Sequence, residues 1–263
     1  MPSKLSEAAG ILGSNLWLFS RITLTVWLPG NLLVNYVAYH VPLTEEQALM
    51  APARMTMWIE GIFGPIYIGA TVYALSKLVS GQAVSYSEAI GVGFRKWGAL
   101  FAARFVAGLI IMAGIIAFII PGVYLSLRYV VLDSAVILEG AGVSRARQRS
   151  AKLTQGRKLR IFGTAVVFYV GITLLSFLIY RPLSFFEQLN TMAAAVAIDC
   201  VLDVGFLLIP IAMFLYYWEA RQQELGVEEP AAASVVDSQA IGEVEAQLEE
   251  APDDDNPFRS PKF

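Results

Sequence analysis

Residues 98–138 read GALFAARFVAGLIIMAGIIAFIIPGVYLSLRYVVLDSAVIL, and whether they cross a bilayer once or twice decides the fold. The first part, 98–120, is an apolar run whose one charge is Arg104. It is long enough for a spanning helix, which needs about 20 mainly apolar residues. The second part, Val123 to Leu138, follows the break at Pro121-Gly122 and contains Arg128 and Asp133. On an insertion scale its apolar residues offer about 3–5 kcal/mol, while two central charges cost about 5–7 kcal/mol. Alone, the segment should not insert.

Charge placement supplies the missing constraint. Arg95-Lys96 and the run Arg145, Arg147, Arg149, Lys152, Arg157, Lys158, Arg160 are the two basic clusters, and short loops rich in Lys and Arg stay cytoplasmic. Both clusters then share one side, and an even number of crossings separates them. Residues 98–138 therefore form two spans joined at Pro121-Gly122, or else a hairpin that enters and leaves one face. Two spans is the preferred reading. Further apolar runs lie at 15–38, 55–79, 161–180 and 192–218. The sequence thus predicts an all-α, polytopic bundle of six transmembrane helices over residues 1–224, with both termini cytoplasmic. Arg54 and Arg181 are the only basic residues on the expected outer side, near 39–54 and 181–191. The apolar stretch Leu16 to Val41 is too long for a signal peptide and ends in no small-x-small cleavage site, so it reads as a retained first helix.

Composition agrees. Of 263 residues 56% are hydrophobic and 16% charged, where soluble domains average about 25% charged. Between Glu219 and the C-terminus twelve acidic residues face three basic ones, a formal −9 that leaves +6 for residues 1–218. Residues 225–263 have too little apolar surface for a core and are expected to form a disordered acidic tail. With one cysteine, Cys200, and one histidine, His40, neither a disulfide nor a Cys/His zinc cluster forms within one chain.

Tyr36, Tyr39, Trp97, Tyr216, Tyr217 and Trp218 sit where spans should meet headgroups. Pro29 and Pro210 predict kinks in the first and last spans. Small residues at Ala99, Ala103 and Ala107, continued by Ala113 and Ala117, predict close helix packing in the third span. Two polar segments, 85–97 and 144–160, lead into spans and read as interfacial helices. In the first, Ala89, Ile90 and Phe94 form an apolar stripe that could lie on the membrane.

Ionisable residues at membrane depth are functional candidates: Arg21, Glu60, Arg104, Arg128, Asp133, Asp199 and Asp203. Asp199 and Asp203, four apart, share one helix face and need a cation or a shared proton if they meet in low dielectric. Arg128 and Asp133, five apart, stand about 140° apart around a helix, so Arg128 must look to another helix. The expected topology puts Glu60, Arg128, Asp199 and Asp203 in the outer half and Arg21 and Arg104 in the inner half. An outer-half cluster of Arg128 with Asp199, Asp203 or Glu60 is therefore expected. It would be either a proton, cation or headgroup site or an ion pair that fixes helix register.

The basic run at 145–160 either contacts anionic headgroups, at about 1 kcal/mol per positive residue, or enforces topology. It lacks the interleaved aromatics of a nucleic-acid surface. No Gly-rich phosphate loop, G-x-S-x-G elbow or H-E-x-x-H pair occurs, and no cofactor or catalytic site is expected.

The stretch 120–164 carries Ile120-Pro121-Gly122-Val123-Tyr124, then Leu138-Glu139-Gly140, then Ser150, Leu153-Thr154 and Gly156. It resembles the bacterial membrane domain found beside some glycerophosphodiester phosphodiesterases and in related inner-membrane proteins. The resemblance implies a six-helix bundle, hence a genuine fourth span, and a cytoplasmic-membrane location. It implies no catalysis by the bundle, because the family's chemistry belongs to a separate soluble barrel that this sequence does not show. The leading expectation is a non-enzymatic membrane protein that interacts with membrane lipids, or with a protein partner through the basic loop or the tail. The alternative is a small transporter or channel-like protein using the intramembrane acids, and a third reading is a bundle that only displays its tail.

Overall fold

A computed structural model of the protein describes residues 4–183 and 191–226, and among these no residue is in a strand. The predicted acidic tail and most of the predicted outer loop at 181–191 lie outside the described residues. The helices are α1 (Lys4–Ser14), α2 (Leu16–His40), α3 (Glu45–Val79), α4 (Tyr86–Ala117), α5 (Ile119–Tyr129), α6 (Leu132–Glu139), α7 (Val143–Leu153), α8 (Lys158–Leu183), α9 (Met192–Phe206) and α10 (Leu208–Glu224). Residues through Arg221 form one compact unit. Among the described residues five stretches are long and apolar enough to cross a membrane, or up to six if α1 and α2, bent by 90° at Asn15, count as one.

The antiparallel pair α3 and α4 is the spine. α3 starts at Glu45, ten residues before the predicted boundary, because Thr44 and Gln47 build a capping box: Gln47 N–H donates to Thr44 Oγ1 (3.3 Å) and Thr44 N–H to Gln47 Oε1 (3.2 Å). Ser85 caps α4 by accepting from Glu88 N–H at 3.3 Å. α4 then runs unbroken from Tyr86, so the predicted interfacial lead-in is simply its first three turns. That segment packs on α3 rather than lying on lipid: Ala89 is fully buried, Ile90 packs on the core, and only Phe94 faces outward. The seam runs through Ala89, Gly93, Leu100, Ala103 and Ala107, all buried at helical spacings of three, four and seven residues. Ala99, Ala113 and Ala117 fall off this stripe and are exposed. Gly93 is required, since a Cβ there would run into the Ile66 carbonyl oxygen.

The chain reverses at Phe118, whose extended backbone (φ −164°, ψ 147°) ends α4 and begins α5. The predicted break at Pro121-Gly122 is thus three residues too late. Pro121 sits in the first turn of α5, where a missing N–H costs nothing. Gly122 lies directly against Ile115, with a built Cβ 2.8 Å from its nitrogen, so α4 and α5 form a tight hairpin. Its tip presents Ile116, Phe118, Ile119 and Ile120, each between 73% and 82% exposed, an apolar patch suited to lipid and costly in water. The segment expected as a span is long and apolar enough for one over Ile119–Glu139, though its helix is interrupted at Val130-Val131 between α5 and α6. α6 is nearly all core, with Leu132, Ser134, Ala135, Val136 and Ile137 buried.

The last span is likewise in two pieces. α9 stops at Phe206, four residues before Pro210, because the proline ring would strike the carbonyl at that position and donates no N–H to it. Pro29, by contrast, lies within an uninterrupted α2. Tyr216 and Tyr217 are buried rather than placed as headgroup anchors. Tyr216 shares a 2.9 Å hydrogen bond with Thr164, and Tyr217 donates to Glu139 at 2.9 Å.

The close α3–α4 approach yields a test. Gly93→Ala should lower stability by about 1–3 kcal/mol through overpacking, read as reversible unfolding from mixed micelles. Gly91→Ala, where a Cβ meets nothing within 4 Å, should not lower it.

Candidate functional site

Six of the seven predicted charged residues fall into three places, and the seventh, Arg21, lies over the Tyr86 ring at 4.4 Å; the first place is built around a cation outside the expected cluster. Arg104, on α4, donates from Nε to Asp133 Oδ1 of α6 at 3.1 Å and from Nη1 to Glu60 Oε1 of α3 at 3.4 Å. Glu60 Oε2 also accepts from Tyr67 OH at 3.1 Å. One guanidinium fork thus satisfies two carboxylates and ties three helices. The expected division into outer Glu60 and inner Arg104 does not hold, because α3 begins earlier and α4 runs longer than the apolar runs imply. Asp133 reaches Arg104 because the break at Val130-Val131 starts α6 afresh against α3 and α4.

The cluster borders a cavity of about 600 Å³, whose lining includes Trp27, Glu60, Tyr67, Arg104, Gly108, Ile111, Asp133, Asp203, Phe206 and Phe214. The side chains of Arg104 and Glu60 keep 32% and 37% of their surface accessible, so the ion cluster is not sealed. Apolar side chains from α4, α9 and α10 form much of the remaining wall.

The second place is a ladder between α2 and α9. Asn31 Nδ2 donates to Asp203 Oδ2 at 2.7 Å and Asn35 Nδ2 to Asp199 Oδ2 at 2.8 Å. Tyr180 OH of α8 donates to the other oxygen of Asp199. The aspartates therefore take amide donors, not Arg128, as the expected cluster would have it. A signal was present: Asn31 and Asn35 are four apart on one span, as Asp199 and Asp203 are on another, so antiparallel helices match the two pairs rung for rung.

Arg128 belongs to the third place, at the contact of α5 with α7. Its carbonyl accepts from Ser150 Oγ at 2.9 Å, while the nearby Thr154 hydroxyl donates to the Ser150 carbonyl at 2.9 Å. Tyr124 and Arg128 of α5, Ala151 and Lys152 of α7, and Gln155 and Lys158 line a depression of about 290 Å³. Lys158 Nζ donates to Tyr124 OH at 3.0 Å and lies 4.3 Å from that ring's centroid.

The basic run is not one surface. Arg149 pairs with Glu139 at 2.8 Å. Arg157 lies 4.0 Å from Glu219, which also holds Lys4 at 3.3 Å. Arg145 and Arg160 are exposed, whereas Arg147 is half-buried and its Nε has no hydrogen-bond partner. The quoted motif residues acquire physical roles here: Gly122 closes the hairpin, Glu139 joins α6 to α7 and α10, Ser150 holds the end of α5, Thr154 donates to the Ser150 carbonyl, and Gly156 turns the chain at φ 76°. Among the described residues no group of three or more His, Cys, Asp or Glu is placed to hold a metal ion.

Comparison with known proteins gives a distant likeness. The chain is 22% identical over 197 residues, 74% of its own length and 75% of the relative's, to a UPF0259 membrane protein of Yersinia pestis (strain Pestoides F). The figures are the same for a UPF0259 membrane protein of Yersinia pseudotuberculosis (serotype O:3, strain YPIII). No family model and no solved structure matches. Together with its apolar helices, the likeness identifies the chain as a multi-pass membrane protein. It does not extend to the phosphodiesterase-associated domains.

Two measurements follow from this geometry. Arg104→Ala should cost about 3 kcal/mol, since it leaves two carboxylates unpaired. Adding Glu60→Gln and Asp133→Asn to that variant should recover most of the loss in the same unfolding assay. A double-mutant cycle on Asn35 and Asp199 should return a favourable coupling of about 0.6 kcal/mol, the average for hydrogen bonds between membrane helices.

Proposed function

We propose that the protein is a non-enzymatic, multi-pass protein of a bacterial cytoplasmic membrane, with both termini cytoplasmic, that takes a lipid-like amphiphile into the cavity beside Arg104. The cavity carries this reading. It pairs apolar walls from Ile111, Phe206 and Phe214 with an ionic end made by Glu60, Arg104, Asp133 and Asp203, as a molecule with a polar head and an acyl chain requires. Three carboxylates against one guanidinium favour a head that brings positive charge, such as an ammonium group. The motif at 120–164 supports placing the chain near the bacterial phosphodiesterase-associated membrane domains. The acidic segment 225–263 and the basic residues of α7 would serve a protein partner.

A second reading, a small transporter or channel-like protein, has one observation in its favour: Asp203, one of the acidic pair, borders the cavity. It requires cation or proton flux in proteoliposomes that depends on Asp203, and an absence of flux in the native protein removes it.

Gly108 lines the cavity and a Cβ there meets nothing within 4 Å, so Gly108→Trp should fill the space without unfolding the bundle. Native mass spectrometry of protein released from nanodiscs containing phosphatidylethanolamine should show retained lipid in the native chain and at least tenfold less in the variant. Equal retention, with both chains folded, would count against the cavity as the binding place.

A further inference from the structure

The depression between α5, α7 and the start of α8 lies on the opposite side of α5 from the cavity. Tyr124 and Arg128 line the depression, whereas Ser126, Tyr129 and Val130 line the cavity. Three of its six lining residues are cations, Arg128, Lys152 and Lys158, and none is a carboxylate. The contact of α5 with α7 is held by the Ser150 hydroxyl, which donates to the Arg128 carbonyl at 2.9 Å.

Gly156, at φ 76°, makes the turn between Gln155 and Lys158 that brings both to the rim. That conformation is one L side chains rarely adopt. Arg128 Nε is buried without a hydrogen-bond partner, an unmet donor on a charged group, which is costly unless a ligand meets it.

We propose that this depression is a binding site for a phosphate group, carried either by a lipid headgroup or by a small soluble phosphate. The chemistry selects phosphate over carboxylate. Cations converge from three elements, as suits an anion with three or more acceptor oxygens, and the planar fork of Arg128 can bind two of them at once. Gln155 and Tyr124 add polar groups at the rim, and 290 Å³ admits a phosphate with part of its ester substituent. The site stands on residues the cavity does not use, so it holds whether or not an amphiphile enters beside Arg104.

The test uses the full chain in nanodiscs of phosphatidylcholine, with and without phosphatidic acid, and a separate titration of inorganic phosphate and glycerol 3-phosphate. Native mass spectrometry reads bound lipid and calorimetry reads the soluble anions. Arg128→Gln and Lys158→Gln should each weaken phosphate binding by roughly tenfold, the loss of one charge-assisted hydrogen bond. Arg145→Gln and Arg160→Gln, at exposed basic positions outside the depression, should leave it within twofold. Arg128→Lys, which keeps the charge and loses the fork, should lie between and guards against a folding defect in Arg128→Gln. Binding confined to phosphatidic acid assigns the phosphate to a lipid, and saturable binding of the soluble anions assigns it to a metabolite. Equal weakening by all four neutral variants would mean diffuse attraction to a basic surface. That result, or no binding of any phosphate, overturns the site.

Discussion

The bundle depends on the position of one guanidinium. Arg104 stands on α4 and meets a carboxylate from each of two neighbouring helices, Glu60 on α3 and Asp133 on α6. Left alone, each of these ions would oppose insertion into hydrocarbon by a few kcal/mol. Joined, they let an apolar α6 pack its buried face on α3 and α4. The interruption between α5 and α6 follows from the same constraint. Asp133 is held against α4, while Arg128, five residues earlier, is carried to α7, so the two charges of one apolar segment serve different neighbours.

Most of the architecture was legible in the sequence, and the failures have physical causes. Apolar run length located the long helices, and Pro121-Gly122 marked a reversal to within three residues. Hydropathy cannot see where a helix begins when its first turns are polar. The Thr44–Gln47 capping box and the Ser85 cap carry α3 and α4 beyond the apolar runs at both places. Those shifted boundaries in turn misplaced Glu60 relative to Arg104. The α2–α9 ladder was readable from the matched spacing of Asn31 and Asn35 with Asp199 and Asp203, but uncharged asparagines do not stand out when charges are being paired. Arg128 was out of reach, since nothing in its local sequence says that α7 folds back against α5.

α5 emerges as a partition. One of its sides borders a cavity with apolar walls and an ionic end, and the other borders a small basic depression. An exposed apolar tip, an interior space and a cationic surface thus all fall within the eleven residues of one helix. This arrangement also accounts for the cluster of unusual residues between 120 and 164. Gly122 permits a close approach, Gly140 and Gly156 make left-handed turns, and the Ser150 hydroxyl fixes the end of α5 to α7.

A glycosylation-mapped insertion assay on residues 119–139 tests the dependence on Arg104 most directly. The segment should fail to insert when presented alone and should insert as a membrane span when preceded by α3 and α4. Replacing Arg104 by Ala in that longer chain should return insertion towards the level of the isolated segment. Efficient insertion of the isolated segment, or unchanged insertion after Arg104→Ala, would contradict the account.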